Sequence, residues 1–124
     1  MIALVTDHDQ KYEPLAEWTL HKNKKQYCQK HGYQLHYSGD GGASIAGKPF
    51  MAKANPPIPD THIPIGWGKI YVIRKIMQQH PEVEWIFNTD TDVMITNMDI
   101  KIEDILKEHA GPNIHMLIPA DKRN

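Results

Sequence analysis

Met1 to Val5 is an almost unbroken apolar run that gives way to Thr6-Asp7-His8-Asp9. Such a run suits a strand covered on both faces, and the polar residues after it predict a loop. From Pro14 to about His31 the residues favour helix, with Pro14 tolerated in the first turn and Gly32 placed to end it. The apolar stripe of Ala16, Leu20 and Tyr27 is broken by the polar Asn23 and Lys24. Tyr33 to Tyr37 alternates as a second strand. Trp67 to His80 predicts the next helix, with Ile70, Ile73 and Met77 on one stripe, widened by Trp67 and Tyr71 and stopped by Pro81. Val83 to Phe87 reads as a third strand, Ile102 to His109 as a short helix closed by Gly111-Pro112, and His115 to Ile118 as a fourth strand. A strand at the very start, followed by alternating helices and strands, predicts an α/β fold.

Most of the glycines and prolines lie between Ser38 and Gly66. A loop of that length inside a compact domain tends to be functional, and it is expected here as a lid or rim. Gly42 to Lys48 matches the start of a phosphate-binding P-loop, but Pro49 stands where the metal-holding Ser or Thr belongs. Proline there also removes an amide and disfavours helix at Lys48, so an ordinary glycine-rich loop is the better description.

Composition narrows the classes further. The 124 residues amount to less than one average domain of about 150, so a single unit spanning 1–124 is expected. With 14 basic and 15 acidic residues the net charge is −1, which offers no footprint for nucleic acid or an anionic membrane. Cys28 stands alone, which excludes an internal disulfide. No run approaches the roughly 18 apolar residues of a membrane span, and no signal or anchor is recognisable, so the expectation by default is cytoplasmic. The eight histidines show no metal-binding spacing and read as surface or helix-end residues. Lys22, Lys24 and Lys25 read as a solvated helix face.

The chemistry concentrates after the third strand, in Asn88-Thr89-Asp90-Thr91-Asp92. In open α/β sheets ligands gather beyond the carboxyl ends of the strands. Asp90 and Asp92 can both reach one divalent ion, and hard oxygen ligands select Mg²⁺ or Mn²⁺. Two carboxylates leave coordination positions for diphosphate oxygens and water. The plainer alternative is a turn whose two aspartates cap backbone amides.

Four blocks in order carry a resemblance: Ile2-Ala3-Leu4-Val5-Thr6, Tyr27 to Tyr33, Trp67-Gly68-Lys69-Ile70, and Trp85 through Asn97. Together they resemble the galactosyl/mannosyl/xylosyltransferase family related to the fission-yeast galactosyltransferase and the budding-yeast mannan polymerase subunits. The resemblance implies a Rossmann-like GT-A fold with a mostly parallel sheet flanked by helices. It implies Mn²⁺ (or Mg²⁺) held by Asp90 and Asp92, a UDP- or GDP-sugar as donor, a glycan acceptor, and retention of anomeric configuration. By the same resemblance Thr91 approaches the ribose, Thr6 and Asp7 lie where the base is received, and Lys69 meets diphosphate or sugar. Family members are often Golgi-anchored. The match is expected to cover the N-terminal, nucleotide-binding half of such a domain, with catalytic residues unassigned and sheet edges left open to self-association. Two alternatives stand beside it. One is an inactive or truncated nucleotide-binding homologue. The other is a haloacid-dehalogenase-type phosphatase with Asp90 as nucleophile and Asp92 as general acid.

Overall fold

The computed structural model describes residues 1–40 and 68–120. The first strand, β1 (Ile2–Asp7), lies at the centre of a three-stranded sheet between β2 (Gln34–Ser38) and β3 (Trp85–Asn88). Both pairings are parallel, with Leu4 opposite Leu35 on one side and Phe87 on the other. This is the expected Rossmann-like arrangement. Its central strand is the most apolar one because it is covered from both faces.

Alternation along β1 assigns each face its own core. Ile2 and Leu4 join Tyr27, Cys28, Tyr33 and Ile102, with Leu35 and Trp85 packed alongside. Val5 points to the other face and packs with Val72, Ile76 and Ile86. The same alternation carries Thr6 to the first face and Asp7 to the second.

Between β1 and β2 the chain is helical but not uniformly so. A short 3₁₀ turn (Gln10–Tyr12) is capped by the Asp9 carboxylate, which accepts the Lys11 N–H at 3.1 Å. It leads into α1 (Glu13–Ala16), a π-helical stretch (Glu17–Lys24) and α2 (Lys25–His31). In the wider turns the Lys25 N–H bonds the Leu20 carbonyl, five residues back. Each such turn takes an extra residue and changes which side chains face inward. Here that change buries Asn23 and Lys24 together with Thr19 and Leu20. The polar break in the sequence stripe is therefore a buried polar pair. The expected solvated face is corrected for Lys24, which is 0% exposed. Gly32 ends α2 in the left-handed conformation with φ 72°, a geometry that a side chain would strain.

The third α-helix, α3 (Gly68–Gln79), corrects the predicted stripe. Its buried residues are Gly68, Val72 and Ile76, whereas Ile70 is 55% and Met77 65% exposed. The helix carries two apolar rows, and the sheet selects the one that meshes with Val5 and Ile86. A last helix, α4 (Ile102–His109), packs Ile102 and Leu106 against the opposite face. The predicted fourth strand at 115–118 is not formed: this segment has no regular structure and is exposed, Ile118 at 77%. Apolar character alone does not make a strand, because the backbone needs a neighbouring ladder. The expected lid from Ser38 to Gly66 lies outside the described residues beyond Asp40, as do Gly42 to Lys48 and Trp67.

Candidate functional site

The strand order β2-β1-β3 means that the chain leaves β1 to one side and returns on the other. The carboxyl ends of β1 and β3 therefore diverge at a topological switch point, where open α/β sheets bind their ligands. Asp7 ends β1 there, and Thr89-Asp90-Thr91-Asp92 leaves β3 beside it. The Thr89 N–H bonds the Val5 carbonyl at 3.0 Å, extending the ladder by one step. The Val93 N–H then reaches the Asp90 carbonyl at 3.2 Å and closes the acidic segment into a turn.

Four predicted site residues meet at this point. The Thr91 hydroxyl donates to the Asp7 carbonyl at 2.6 Å and ties the turn to the end of β1. Lys69, in the first turn of α3, donates to the Asp90 carboxylate at 2.6 Å. Burial pushes the Asp7 carboxyl above its ordinary range; the Lys69 ammonium opposes that rise and the Asp90 charge adds to it. Asp92 is exposed on the same turn. Among the described residues neither aspartate carboxylate of the turn accepts a backbone amide, so the capping alternative has no support. Thr6 lies on the opposite face of β1, 1% exposed, and its hydroxyl has no partner among the described residues.

Several residues of this neighbourhood escaped the sequence reading. His8 is 5% exposed, and its Nε2 lies 2.6 Å from a Glu13 carboxylate oxygen while its Nδ1 has no partner among the described residues. That hydrogen bond holds the Glu13 carboxyl below its ordinary range. The Thr89 hydroxyl is also buried and without a partner among the described residues. Buried polar groups are ordinarily satisfied, and these three atoms lie toward the carboxyl end of the sheet. Beneath the turn, Lys24 donates to the carbonyls of Thr91, at 3.3 Å, and Val93. Asn23 takes both polar groups of Ile95, giving its Nδ2–H to the carbonyl at 2.9 Å and accepting the amide at 2.8 Å. The break at Asn23-Lys24 in an otherwise apolar stripe was the signal that could have found them.

The donor set is consistent with a hard divalent cation. Among the described residues no three metal-ligating side chains converge. Asp90 and Asp92 are two exposed carboxylates on one turn, fewer ligands than a divalent ion's full shell requires. The shallow cavity of about 380 Å³ lined by Met1, Tyr33, Trp85 and Glu103 lies at the opposite, amino-terminal end of the strands. That end of an open sheet is not where ligands gather.

The sequence profile of the galactosyl transferase GMA12/MNN10 family matches residues 1–118. Galactomannan galactosyltransferase 1 of Cyamopsis tetragonoloba is 31% identical over 118 residues, covering 91% of this chain and 23% of that protein. An uncharacterised alpha-1,2-galactosyltransferase of Schizosaccharomyces pombe is 26% identical over 80% of this chain and 23% of its own length. A probable xyloglucan 6-xylosyltransferase of Arabidopsis thaliana is 33% identical over 65% of this chain and 14% of its own. The chain thus spans about a quarter or less of these curated relatives. No solved structure matches it significantly.

Proposed function

The chain belongs to the galactosyl transferase GMA12/MNN10 family, and from that premise we propose that it is the nucleotide-binding portion of a glycosyltransferase. Its donor is a UDP- or GDP-sugar, and the hexosyl or pentosyl unit passes to a glycan hydroxyl. The observation that carries this reading is the convergence of Asp7, Lys69, Asp90 and Thr91 at the switch point between β1 and β3. Family membership sets the phosphatase alternative aside.

Each residue has a separate task. Asp90 and Asp92 would hold Mn²⁺ or Mg²⁺, and the ion would supply Lewis-acid neutralisation of diphosphate charge. The Thr91 hydroxyl, by gripping the Asp7 carbonyl, fixes where the turn sits against β1. Lys69, whose ammonium pairs with the Asp90 carboxylate, is the cation that would meet the diphosphate. Asp7 lies at the end of β1 toward the nucleoside, whereas Thr6 is buried on the other face of the strand and is not brought to the site.

Calorimetry with UDP and GDP, with and without Mn²⁺, tests the reading. Metal-dependent binding is expected, and Asp92→Ala should abolish it while leaving the circular dichroism spectrum unchanged, because the side chain is exposed. Unchanged affinity in that variant refutes the assignment. A sugar-nucleotide hydrolysis or transfer assay then separates an active transferase from a homologue that only binds.

A further inference from the structure

We propose that Lys24 is a positioning residue for the acidic turn, its buried ammonium fixing the Thr91 and Val93 carbonyls so that Asp90 and Asp92 are presented to the diphosphate. The inference deepens the proposed function and rests on it.

Lysine is the side chain least often buried whole, because desolvating an ammonium costs several kcal/mol unless hydrogen bonds replace the water. Lys24 is nevertheless 0% exposed. Among the described residues its ammonium meets no carboxylate at ion-pair distance; its partners are two backbone carbonyls. Those carbonyls belong to the residues on either side of Asp92, so the contact holds the 91–92 and 93–94 peptide groups. Asn23 secures the next stretch through both polar groups of Ile95. Farther along the same helix, the Tyr27 hydroxyl donates to the Ile100 carbonyl at 2.7 Å. Asn23 and Lys24 lie buried side by side in the π-helical stretch, and stretches of this kind are often found at functional sites.

A merely structural anchor would not need a charge. A neutral donor could satisfy one carbonyl at a smaller desolvation cost, whereas the ammonium also faces a turn carrying two carboxylates. Both are close enough to act on it: burial pulls the Lys24 pKa below its ordinary value, and the Asp92 and Asp90 charges oppose that fall. The cation thus supports the turn from inside and leaves the open side of the carboxylates for a metal ion.

The test is Lys24→Met, which keeps the stem and removes the charge and the donors. Circular dichroism should report an intact fold, and amide exchange at 91–95 should quicken in the metal-free protein. Affinity for Mn²⁺ with UDP or GDP should fall about 10–100-fold, the usual effect of removing a residue that orients metal ligands. A folded Lys24→Met chain with wild-type affinity overturns the positioning role and leaves the proposed function standing. A wild-type chain that binds neither nucleotide with Mn²⁺ overturns both. If the variant does not fold, the wild-type chain decides by nitrogen-15 NMR. A slowly exchanging Nζ signal coupled to the Thr91 and Val93 carbonyls, and shifted by Mg²⁺ with UDP, supports the role. Lack of that coupling, or a signal that UDP binding leaves unmoved, overturns it.

Discussion

Asn23→Ala offers the sharpest test of how the helical layer holds the acidic segment. Asn23 is 4% exposed and satisfies the amide and carbonyl of Ile95, 72 residues away, at 2.8 and 2.9 Å. Alanine leaves both backbone groups without their partner, and an unsatisfied buried group costs about 1–3 kcal/mol. Ile95 is only partly buried, so water recovers some of that loss and the lower half of the range applies, about 2–4 kcal/mol for the two groups together. Alanine returns up to about 0.7 kcal/mol through its better helix propensity. The net loss is therefore about 1.3–4 kcal/mol, a large share of the roughly 5–15 kcal/mol that keeps a domain folded. Urea unfolding followed by circular dichroism and tryptophan fluorescence reads it directly. With a slope of about 1–3 kcal/mol per molar, the midpoint should drop by roughly 1 M. Gln26→Ala, exposed on the same helix, serves as control and should stay within about 0.5 kcal/mol. A loss for Asn23→Ala no larger than that of the control would show that the helix does not hold the 91–95 segment through this side chain.

Three further outcomes are expected. Thr91→Val removes the hydroxyl that grips the Asp7 carbonyl and should cost about 1 kcal/mol in thermal or urea unfolding, whereas Thr91→Ser should retain most of the stability; equal values for the two variants would contradict the link. Lys69→Met frees the Asp90 carboxylate, so electron paramagnetic titration should show tighter binding of Mn²⁺ alone, with weaker binding of the Mn²⁺–UDP pair; because the carboxylate half of the ion pair is exposed and the lysine only partly buried, stability should change little. Stability should fall on acidification. Hydrogen bonds hold Glu82 down to about 2, from an ordinary 4.5, and likewise lower Asp99 and Glu103. A carboxyl depressed by folding contributes stability above its unfolded pKa and loses it as pH drops through the folded one, which for Glu82 is the window from 4.5 to about 2. The raised Asp7 works in the opposite sense and recovers some stability on protonation. Glu82→Gln should flatten part of the acid limb of a urea-midpoint profile, and an unaltered limb would exclude Glu82 from it.

What the sequence by itself determined was local. An apolar run marks β1, a glycine after a run of helix formers marks the end of α2, and two aspartates after a strand mark the candidate site. Chain-neighbour rules govern these features, so they can be read without knowing what lies opposite. Three matters were decided only by the tertiary structure. The sheet selected the Val72–Ile76 row of α3 over the Ile70–Met77 row, since a helix with two apolar faces buries the one that meshes with its partner. The segment 115–118 stayed out of the sheet, because strand formation depends on a neighbouring ladder that periodicity cannot supply. Lys24 went inside because residues 67 and 69 positions away place carbonyls over it. A lysine's burial depends on whether distant backbone replaces its water, and nothing within a few residues of it carries that information.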